Sequence, residues 1–290
     1  MSRGSSLPDP VKRAAQQVAV GGIGRATARF RALPNVLIAG GQRCGTTSMY
    51  RALSQHPAVL KPVLHKGVHY FDTHYDRGLD WYRSYFPLGA TVRRTARRTG
   101  AAPVVFESSP YYGFHPLAAQ RFVRDLPGVR LLVLIRDPVE RAYSAHAHEV
   151  ARGFESESFE RALELEETRL AGEEQRLIDD PAYVSHAHQH QAYVHRGQYI
   201  DLLSRLEAVI GRERMLVIDS HRFFTDPVPV LDRVMSFLDL PSCPDIRVEQ
   251  HNARPRAAIN DAVGHRLEEH FIPYDERLAE WLGWVPSWRA

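Results

Sequence analysis

A run of glycines, hydroxyl side chains and one arginine follows a short apolar segment in the first fifth of the chain. Residues 40–48 read Gly-Gly-Gln-Arg-Cys-Gly-Thr-Thr-Ser, and residues 35–39 before them read Asn-Val-Leu-Ile-Ala. A glycine-rich turn between a buried strand and a helix directs backbone N–H groups and the positive end of the helix at an anion. The segment is therefore predicted to bind a phosphate or a sulfate.

The same segment departs from the phosphate loop of nucleoside triphosphatases. Gly40 and Gly45 have the spacing of that loop, but Thr46-Thr47 stands where lysine and serine or threonine are required. The cation, Arg43, instead lies two residues before the second glycine. No apolar strand ending in aspartate is obviously placed to hold magnesium. These features disfavour ATP hydrolysis, and a kinase with a displaced lysine remains an alternative.

A second anion-binding element is indicated around Arg136. The apolar run 131–135 delivers this arginine at its carboxyl end, where the ligands of open α/β sheets collect. Pro138 suits the first turn of a helix, and Ser144 lies eight residues after the arginine, about two turns into that helix. Strand end and helix can thus present a cation and a hydroxyl to one phosphate.

Together the two segments resemble the cofactor motifs of sulfotransferases that use 3′-phosphoadenosine-5′-phosphosulfate (PAPS), in particular the bacterial type of the heparan-sulfate branch. The family usually has lysine where Arg43 stands, and arginine keeps the charge but changes its geometry. The resemblance implies that Arg136 and Ser144 bind the 3′-phosphate and that Arg254, in a basic loop, contacts the nucleotide. It implies that the 5′-phosphosulfate is held by Arg43, Cys44, Gly45, Thr46, Thr47 and Ser48.

The acceptor side of the family pattern is altered. Residues 65–72 resemble the segment that carries the general base of the heparan-sulfate branch, but Gly67 occupies the position of its glutamate. A proton acceptor is still required near the attacking atom. We interpret His69, whose ring titrates near neutral pH, as the base, with Lys66 stabilising charge on the transferring group. A buried, hydrogen-bonded strand histidine is the alternative interpretation of His69.

Residues 107–112 resemble a further family segment, Glu-Lys-Thr-Pro-x-Tyr. Ser108 replaces the lysine, so one contact to the sulfate or the acceptor is lost or rebuilt. Glu107 is interpreted as a structural group that caps the loop, with a displaced catalytic base as the alternative.

Strands and helices alternate along the chain. This order predicts an α/β fold, a P-loop-like three-layer sandwich with a central parallel sheet flanked by helices. The polar stretch 154–206 is predicted to form a helical layer over the sheet. Strands are predicted at 35–39, 68–71, 103–106, 129–135 and 215–218, and helices at 46–55, 138–152 and 227–238. One domain, residues 31–290, is expected after a basic helical extension, residues 1–30.

Composition constrains the partners and the compartment. A net charge of +3 over 290 residues does not predict nucleic-acid binding, and two cysteines predict neither a disulfide framework nor a zinc cluster. His186 and His190 share a helical face without an evident third ligand, so no metal is expected. A cytoplasmic protein is the expectation. The basic segment 11–30 is compatible with contact to an anionic membrane, although a helix packed on the domain is favoured.

The resemblance therefore implies in-line, metal-independent transfer of a sulfuryl group from PAPS, leaving adenosine 3′,5′-bisphosphate. The acceptor would be a hydroxyl or an amine of a carbohydrate-like, lipid or small molecule. The P-loop kinase and a noncatalytic domain that binds PAPS or a sulfated glycan are the competing hypotheses. Acceptor identity and oligomeric state are left open by the sequence.

Overall fold

A five-stranded parallel sheet forms the centre of the molecule. The computed structural model describes residues 22, 24–249 and 258–290. Neighbouring strands pair in the order β2-β3-β1-β4-β5, and all four pairings are parallel. The strands are β1 (Val36–Gly40), β2 (Val59–Leu60), β3 (Val104–Ser108), β4 (Arg130–Ile135) and β5 (Met215–Asp219).

Helices flank this sheet, which confirms the predicted α/β fold. Those of the first half are α1 (Thr46–Leu53), α2 (Tyr70–Thr73), α3 (Leu79–Arg83), α4 (Gly89–Thr99), α5 (Ala118–Asp125) and α6 (Pro138–Arg152). Those of the second half are α7 (Phe159–Leu170), α8 (Glu173–Asp179), α9 (His186–His190), α10 (Tyr199–Ile210), α11 (Ser220–Thr225), α12 (Pro227–Phe237) and α13 (Asp261–Leu282). No helix among the described residues is both long and apolar enough to span a bilayer.

Strand β1 explains why the sites predicted from sequence lie together. All of its residues are buried, as expected for a parallel strand that is covered on both faces. Val36 pairs with Phe106 of β3 on one side and with Arg130 of β4 on the other. The turns that follow β1, β3 and β4 therefore leave the sheet at the same edge.

Local signals at the start and end of α6 determine its length, and the helix has the predicted bounds. The Asp137 carboxylate accepts hydrogen bonds from the amides of Val139 and Glu140, and Pro138 occupies the first turn. Gly153 ends the helix in the left-handed conformation, with φ of 77°. Because both of its ends are capped, the helix holds its side chains at fixed positions relative to the carboxyl edge of the sheet.

The strand predicted at residues 68–71 is wrong. Residues 70–73 form the short helix α2, and His69 before it has φ of 55°. Three consecutive amides of this segment bond to side chains and not to a neighbouring strand: Val68 to Glu107, His69 to Ser109 and Tyr70 to the Tyr112 hydroxyl. With its donors satisfied in this way, the segment has no need of a β ladder.

The stretch predicted as a helical layer contains helices α7, α8, α9 and most of α10. Part of it packs with α6 and α13 in an apolar cluster separate from the main core. Its buried members are Val139, Ala142, Ala145, Phe159, Ala162, Tyr193, Val263, Leu267 and Phe271. Residues 1–21 of the predicted extension lie outside the described residues, so the proposed boundary near residue 30 stays a prediction.

Candidate active site

A cleft of about 250 Å³ opens where the turns after β1, β2 and β3 meet helix α6. Its lining includes four cationic side chains and three histidines but, within the described chain, neither aspartate nor glutamate. The residues that line it are Gln42, Arg43, Thr46, Thr47, Lys66, His69, Pro110, Tyr111, His148, Arg152, Gln189, His190 and Arg196. A concave surface of one charge sign concentrates its field, so this cleft is suited to an anion.

The glycine-rich loop turns sharply into α1. Gly45 is the residue before the helix and has φ of 86°; a Cβ atom there would also lie 3.0 Å from the Phe224 ring. Both the conformation and the space require glycine. Arg43, Thr46 and Thr47 reach the cleft. Cys44, Gly45 and Ser48 are not part of its lining, and burial raises the pKa of the Cys44 thiol.

The two motifs found in the sequence meet at this edge of the sheet. Arg43 Nε donates to Ser144 Oγ over 3.1 Å, although the residues are 101 positions apart. The Tyr199 hydroxyl donates to the carbonyl of Arg136 at 2.8 Å and lies 3.5 Å from Cys44 Sγ. Tyr199 thereby connects the loop after β1 to the turn after β4.

The Arg136 guanidinium lies at the carboxyl end of β4, as predicted. It pairs with the Glu140 carboxylate at 3.0 Å, one turn into α6. Both side chains are partly exposed, so this ion pair contributes little and can be exchanged for another anion. Arg254 falls outside the described residues, and its assignment stays a prediction.

Lys66 spans the opening of the loop. Its Nζ atom donates to the hydroxyl oxygens of Thr46 at 3.1 Å and Thr47 at 2.9 Å. Burial lowers the pKa of Lys66 to about 8. The ammonium group is thus charged at neutral pH. Its positive charge is only weakly neutralised, because the groups that it bonds to are neutral hydroxyls.

His69 and Asp72 form a pair at the cleft wall. His69 Nδ1 lies 2.8 Å from Asp72 Oδ2, and the carboxylate is buried while the imidazole is partly exposed to the cleft. Burial opposes protonation of His69, but Asp72 outweighs it and raises the pKa of the imidazole. Because the carboxylate only accepts, Nδ1 carries the proton whenever the ring is neutral, and Nε2 then keeps a lone pair.

The position where the resemblance places a glutamate has no room for a side chain. A Cβ atom on Gly67 would lie 2.5 Å from the Ser108 carbonyl oxygen and 2.9 Å from Ser109 Oγ. The Ser108 amide also donates to the Lys66 carbonyl at 3.0 Å, which holds the two segments together. Glycine at this position is therefore a packing requirement of this fold.

Glu107 has the structural role that was predicted for it from the sequence. Its buried carboxylate accepts four hydrogen bonds of 2.7–2.9 Å, from the Val68 amide and from the hydroxyls of Tyr82, Ser109 and Tyr112. Burial raises its pKa, and it does not line the cleft. A carboxylate with this many donors holds the loop around His69 and is not free to take a proton from an acceptor.

The opposite wall of the cleft was missed by sequence reasoning. The buried Glu149 carboxylate accepts from Gln42 Nε2 at 2.8 Å, lies 3.1 Å from His190 Nδ1 and pairs with Arg152 at 3.3 Å. Arg196 donates to the other amide atom of Gln42 and to the carbonyls of the α9 segment. No short motif signals this network, because its members come from separate elements.

The histidines considered as metal ligands make other contacts in the described part of the chain. His188 bonds to the Tyr111 hydroxyl, whereas His186 and His190 pack against Phe154. Strand β5 ends in an aspartate, Asp219, whose carboxylate caps α11 and accepts hydrogen bonds from Ser287. No group of three or more metal-ligating side chains occurs among the described residues.

The chain matches a known domain family over most of its length. The domain model described as "Sulfotransferase domain" matches residues 33–254. Human bifunctional heparan sulfate N-deacetylase/N-sulfotransferase 3 is 29% identical over 211 residues, which cover 71% of this chain but only 22% of that protein. Human heparan sulfate glucosamine 3-O-sulfotransferase 5 is 27% identical over 284 residues, covering 88% and 74%. A crystal structure of a sulfotransferase from Alicyclobacillus acidocaldarius, 29% identical, superposes with TM-score 0.62 and covers 89% of this chain and 100% of that one.

Proposed function

Since this chain belongs to the sulfotransferase family, we propose that it transfers the sulfuryl group of PAPS to a hydroxyl or an amine of an acceptor. The observation that carries the proposal is the hydrogen bond from Arg43, which lines a cleft without carboxylates, to Ser144 of the second motif, although Arg136 and Ser144 do not themselves line that cleft. A kinase is not favoured, because the sulfotransferase domain model matches residues 33–254 and lysine is absent from the loop position.

The donor set fits PAPS. The glycine-rich loop, Lys66 and Arg43 offer cations, hydroxyls and amides to a phosphosulfate, and Arg136 with Ser144 offers a cation and a hydroxyl to the 3′-phosphate. When bound, PAPS supplies a sulfuryl group on a phosphate that leaves readily. Arg254 is proposed as an additional nucleotide contact.

Three side chains are proposed to act on the reacting atoms. His69 Nε2 accepts the proton of the attacking hydroxyl or amine, and Asp72 holds the imidazole in the tautomer that this role requires. Arg43 and Lys66 neutralise negative charge that develops on the leaving phosphate oxygen and on the transferring group. The buried position of Lys66 strengthens this effect, because solvent screens it less.

The acceptor remains the open part of the proposal. Two relatives are named for heparan sulfate, so a saccharide is the first class to test, with lipids and small molecules next. The acceptor is proposed to contact the cleft wall formed by His148, Arg152 and Gln189. The two unpaired cysteines are compatible with the cytoplasmic location that we propose.

Transfer of radiolabelled sulfate from PAPS over a panel of saccharides, lipids and small molecules tests the reaction. Binding of adenosine 3′,5′-bisphosphate, measured by calorimetry, tests the site separately. Arg136→Ala should weaken that binding about 20-fold, as expected for a lost charged hydrogen bond. Arg161→Ala, in an exposed pair with Glu164, is the matched control and should change it less than two-fold.

Three results would contradict the proposal in different ways. Magnesium-dependent turnover of ATP would identify a kinase. Tight binding of the bisphosphate without transfer to any acceptor would indicate a noncatalytic binding domain. Equal affinity of wild type and Arg136→Ala would remove the turn after β4 from the nucleotide site.

A further inference from the structure

Charge is distributed very unevenly along the chain. Residues 10–106 contain 15 lysines and arginines but only three acidic residues, Asp72, Asp76 and Asp80, whereas residues 107–290 contain 21 basic and 30 acidic residues. The small overall net charge of +3 hides this separation. A strong difference between two parts of a sequence indicates contact with a polyanion or an anionic membrane.

The fold turns this separation along the sequence into a separation in space. The described part of the basic segment builds β1, β2 and β3, and therefore the half of the sheet that ends at the β2 edge. The acidic remainder builds β4, β5 and the helices that follow. One flank of the molecule is thus basic and the opposite one acidic.

Helix α4 carries the densest part of the basic flank. Arg93, Arg94, Arg97 and Arg98 are all exposed, and among the described residues none of them forms an ion pair with an acidic side chain. Arg97 and Arg98 lie in the last turn, where a cation favours the helix dipole. That explanation does not extend to Arg93 and Arg94, which form like-charged i,i+4 pairs with them and disfavour the helix.

Exposed apolar side chains lie beside these arginines. Phe30 is 58% exposed and Leu88 is 40% exposed, and the two are neighbours because Arg31 and Leu88 form an antiparallel bridge. The guanidinium of Arg93 extends back along α4 to Gly89, which packs on the Phe30 carbonyl. Arg29 lies over the Phe30 ring at 4.7 Å. Aromatic and aliphatic tips among arginines match the interface of a bilayer.

We propose that this flank, formed by Arg29, Phe30, Leu88 and the four arginines of α4, docks the enzyme on an anionic phospholipid surface. The arginines contact lipid phosphates and carboxylates, and Phe30 and Leu88 enter the headgroup region. An anionic polysaccharide would satisfy the arginines but gains little from an exposed phenyl ring and an exposed leucine. The apolar pair therefore favours the membrane over the polysaccharide.

Co-sedimentation of the full chain with vesicles tests this surface directly, without turnover. Vesicles of phosphatidylcholine with about 30% phosphatidylserine should bind the protein, and pure phosphatidylcholine should bind it far less. Each arginine near such a surface contributes about five-fold to binding. The double variant Arg93→Gln/Arg97→Gln should therefore bind about 20-fold more weakly, and Phe30→Ser/Leu88→Ser roughly ten-fold more weakly.

The matched control is Arg161→Gln/Arg277→Gln, which removes the same charge from exposed helical arginines in the acidic part of the chain, residues 107–290. It should change vesicle binding less than two-fold. Thermal unfolding of each variant establishes that the fold is retained.

Three outcomes would overturn the proposal. One is the absence of any preference for phosphatidylserine. Another is an equal loss in the control pair, which would reduce the effect to net charge. The third is unchanged vesicle binding by the α4 variant together with its earlier elution from a heparin column, which would assign the flank to a polysaccharide.

Discussion

The site that we propose has one end for the nucleotide and one for the acceptor, and the two ends are built in different ways. At the nucleotide end, each group is delivered by a strand that runs directly into a turn and a helix: β1 into α1, and β4 into α6. At the acceptor end, His69 sits in a segment of irregular backbone whose amides are held by side chains about 40 residues further along the chain. The first end depends on local sequence and the second on packing.

This difference predicts which end tolerates change. A strand–turn–helix unit keeps its geometry as long as its apolar run, glycine and cap are present. The acceptor end can exchange groups, provided that the supporting contacts are rebuilt. Here the glutamate position has become Gly67, packed against Ser108, and the His69–Asp72 pair occupies the cleft wall instead.

Loss of the loop cation should have the largest effect. Arg43→Ala is expected to lower kcat by several hundred-fold, because a preorganised donor to developing charge is removed. Arg43→Lys, which restores the usual residue of the family, should stay within about ten-fold of wild type, since the charge is kept. Steady-state sulfate transfer measures both. Unchanged turnover in Arg43→Ala would show that the nucleotide end does not depend on its loop.

The base assignment at the acceptor end comes second. His69→Ala should lower kcat about 100-fold, the usual contribution of a general base. Asp72→Asn should lower it about ten-fold and move the acidic limb of the pH profile to lower pH, because the carboxylate that raises the His69 pKa is gone. The control is Asp76→Asn, an exposed neighbour. If the acidic limb stays at the same pH in Asp72→Asn, Asp72 has no role in the proton transfer.

The packing of Gly67 gives a third test. Gly67→Ala should lower the free energy of unfolding by about 2 kcal/mol, since its Cβ atom meets backbone and must displace it. Gly67→Glu should not raise kcat, although it restores the residue of the resembling branch. Gly264→Ala in α13, where a Cβ atom makes only ordinary contact, should be neutral or stabilising. Urea unfolding measures the stability of the two alanine variants, and sulfate transfer measures kcat of Gly67→Glu. A gain in kcat by Gly67→Glu would contradict the packing argument.

The smallest expected effect is the pH dependence of kcat/KM, to which His69 at the acceptor end and Lys66 near the nucleotide end both contribute. The value of kcat/KM for PAPS should rise as the pH passes the raised pKa of His69, because the base must be neutral. It should fall through pH 8, where buried Lys66 loses its proton, and be about ten-fold lower at pH 9. Lys66→Arg should keep its activity at pH 9, since arginine stays charged. A wild-type profile without an alkaline limb would exclude a role for the Lys66 charge.

Much of the nucleotide end could be predicted from local patterns. The apolar run at β4, the Asp137 cap, Pro138 and Gly153 together determine helix α6, and its observed bounds are the predicted ones. The acceptor end could not be predicted in the same way. The apolar residues at 68–71 suggested a strand, but distant side chains took the backbone donors and allowed a turn and a short helix.

By itself the sequence determined the parallel α/β fold and the two turns for which we propose anion binding, because these follow from hydrophobic runs, glycines and caps within about 20 residues. Tertiary structure decided the partners of His69, the exclusion of a side chain at position 67 and the wall organised by Glu149. The last two rest on contacts between elements about 40 to more than 100 residues apart, and the His69–Asp72 pair, although local in sequence, lies on a backbone whose amides are held by side chains about 40 residues away. The space and the hydrogen-bond donors that such contacts leave available exist only once the chain has folded.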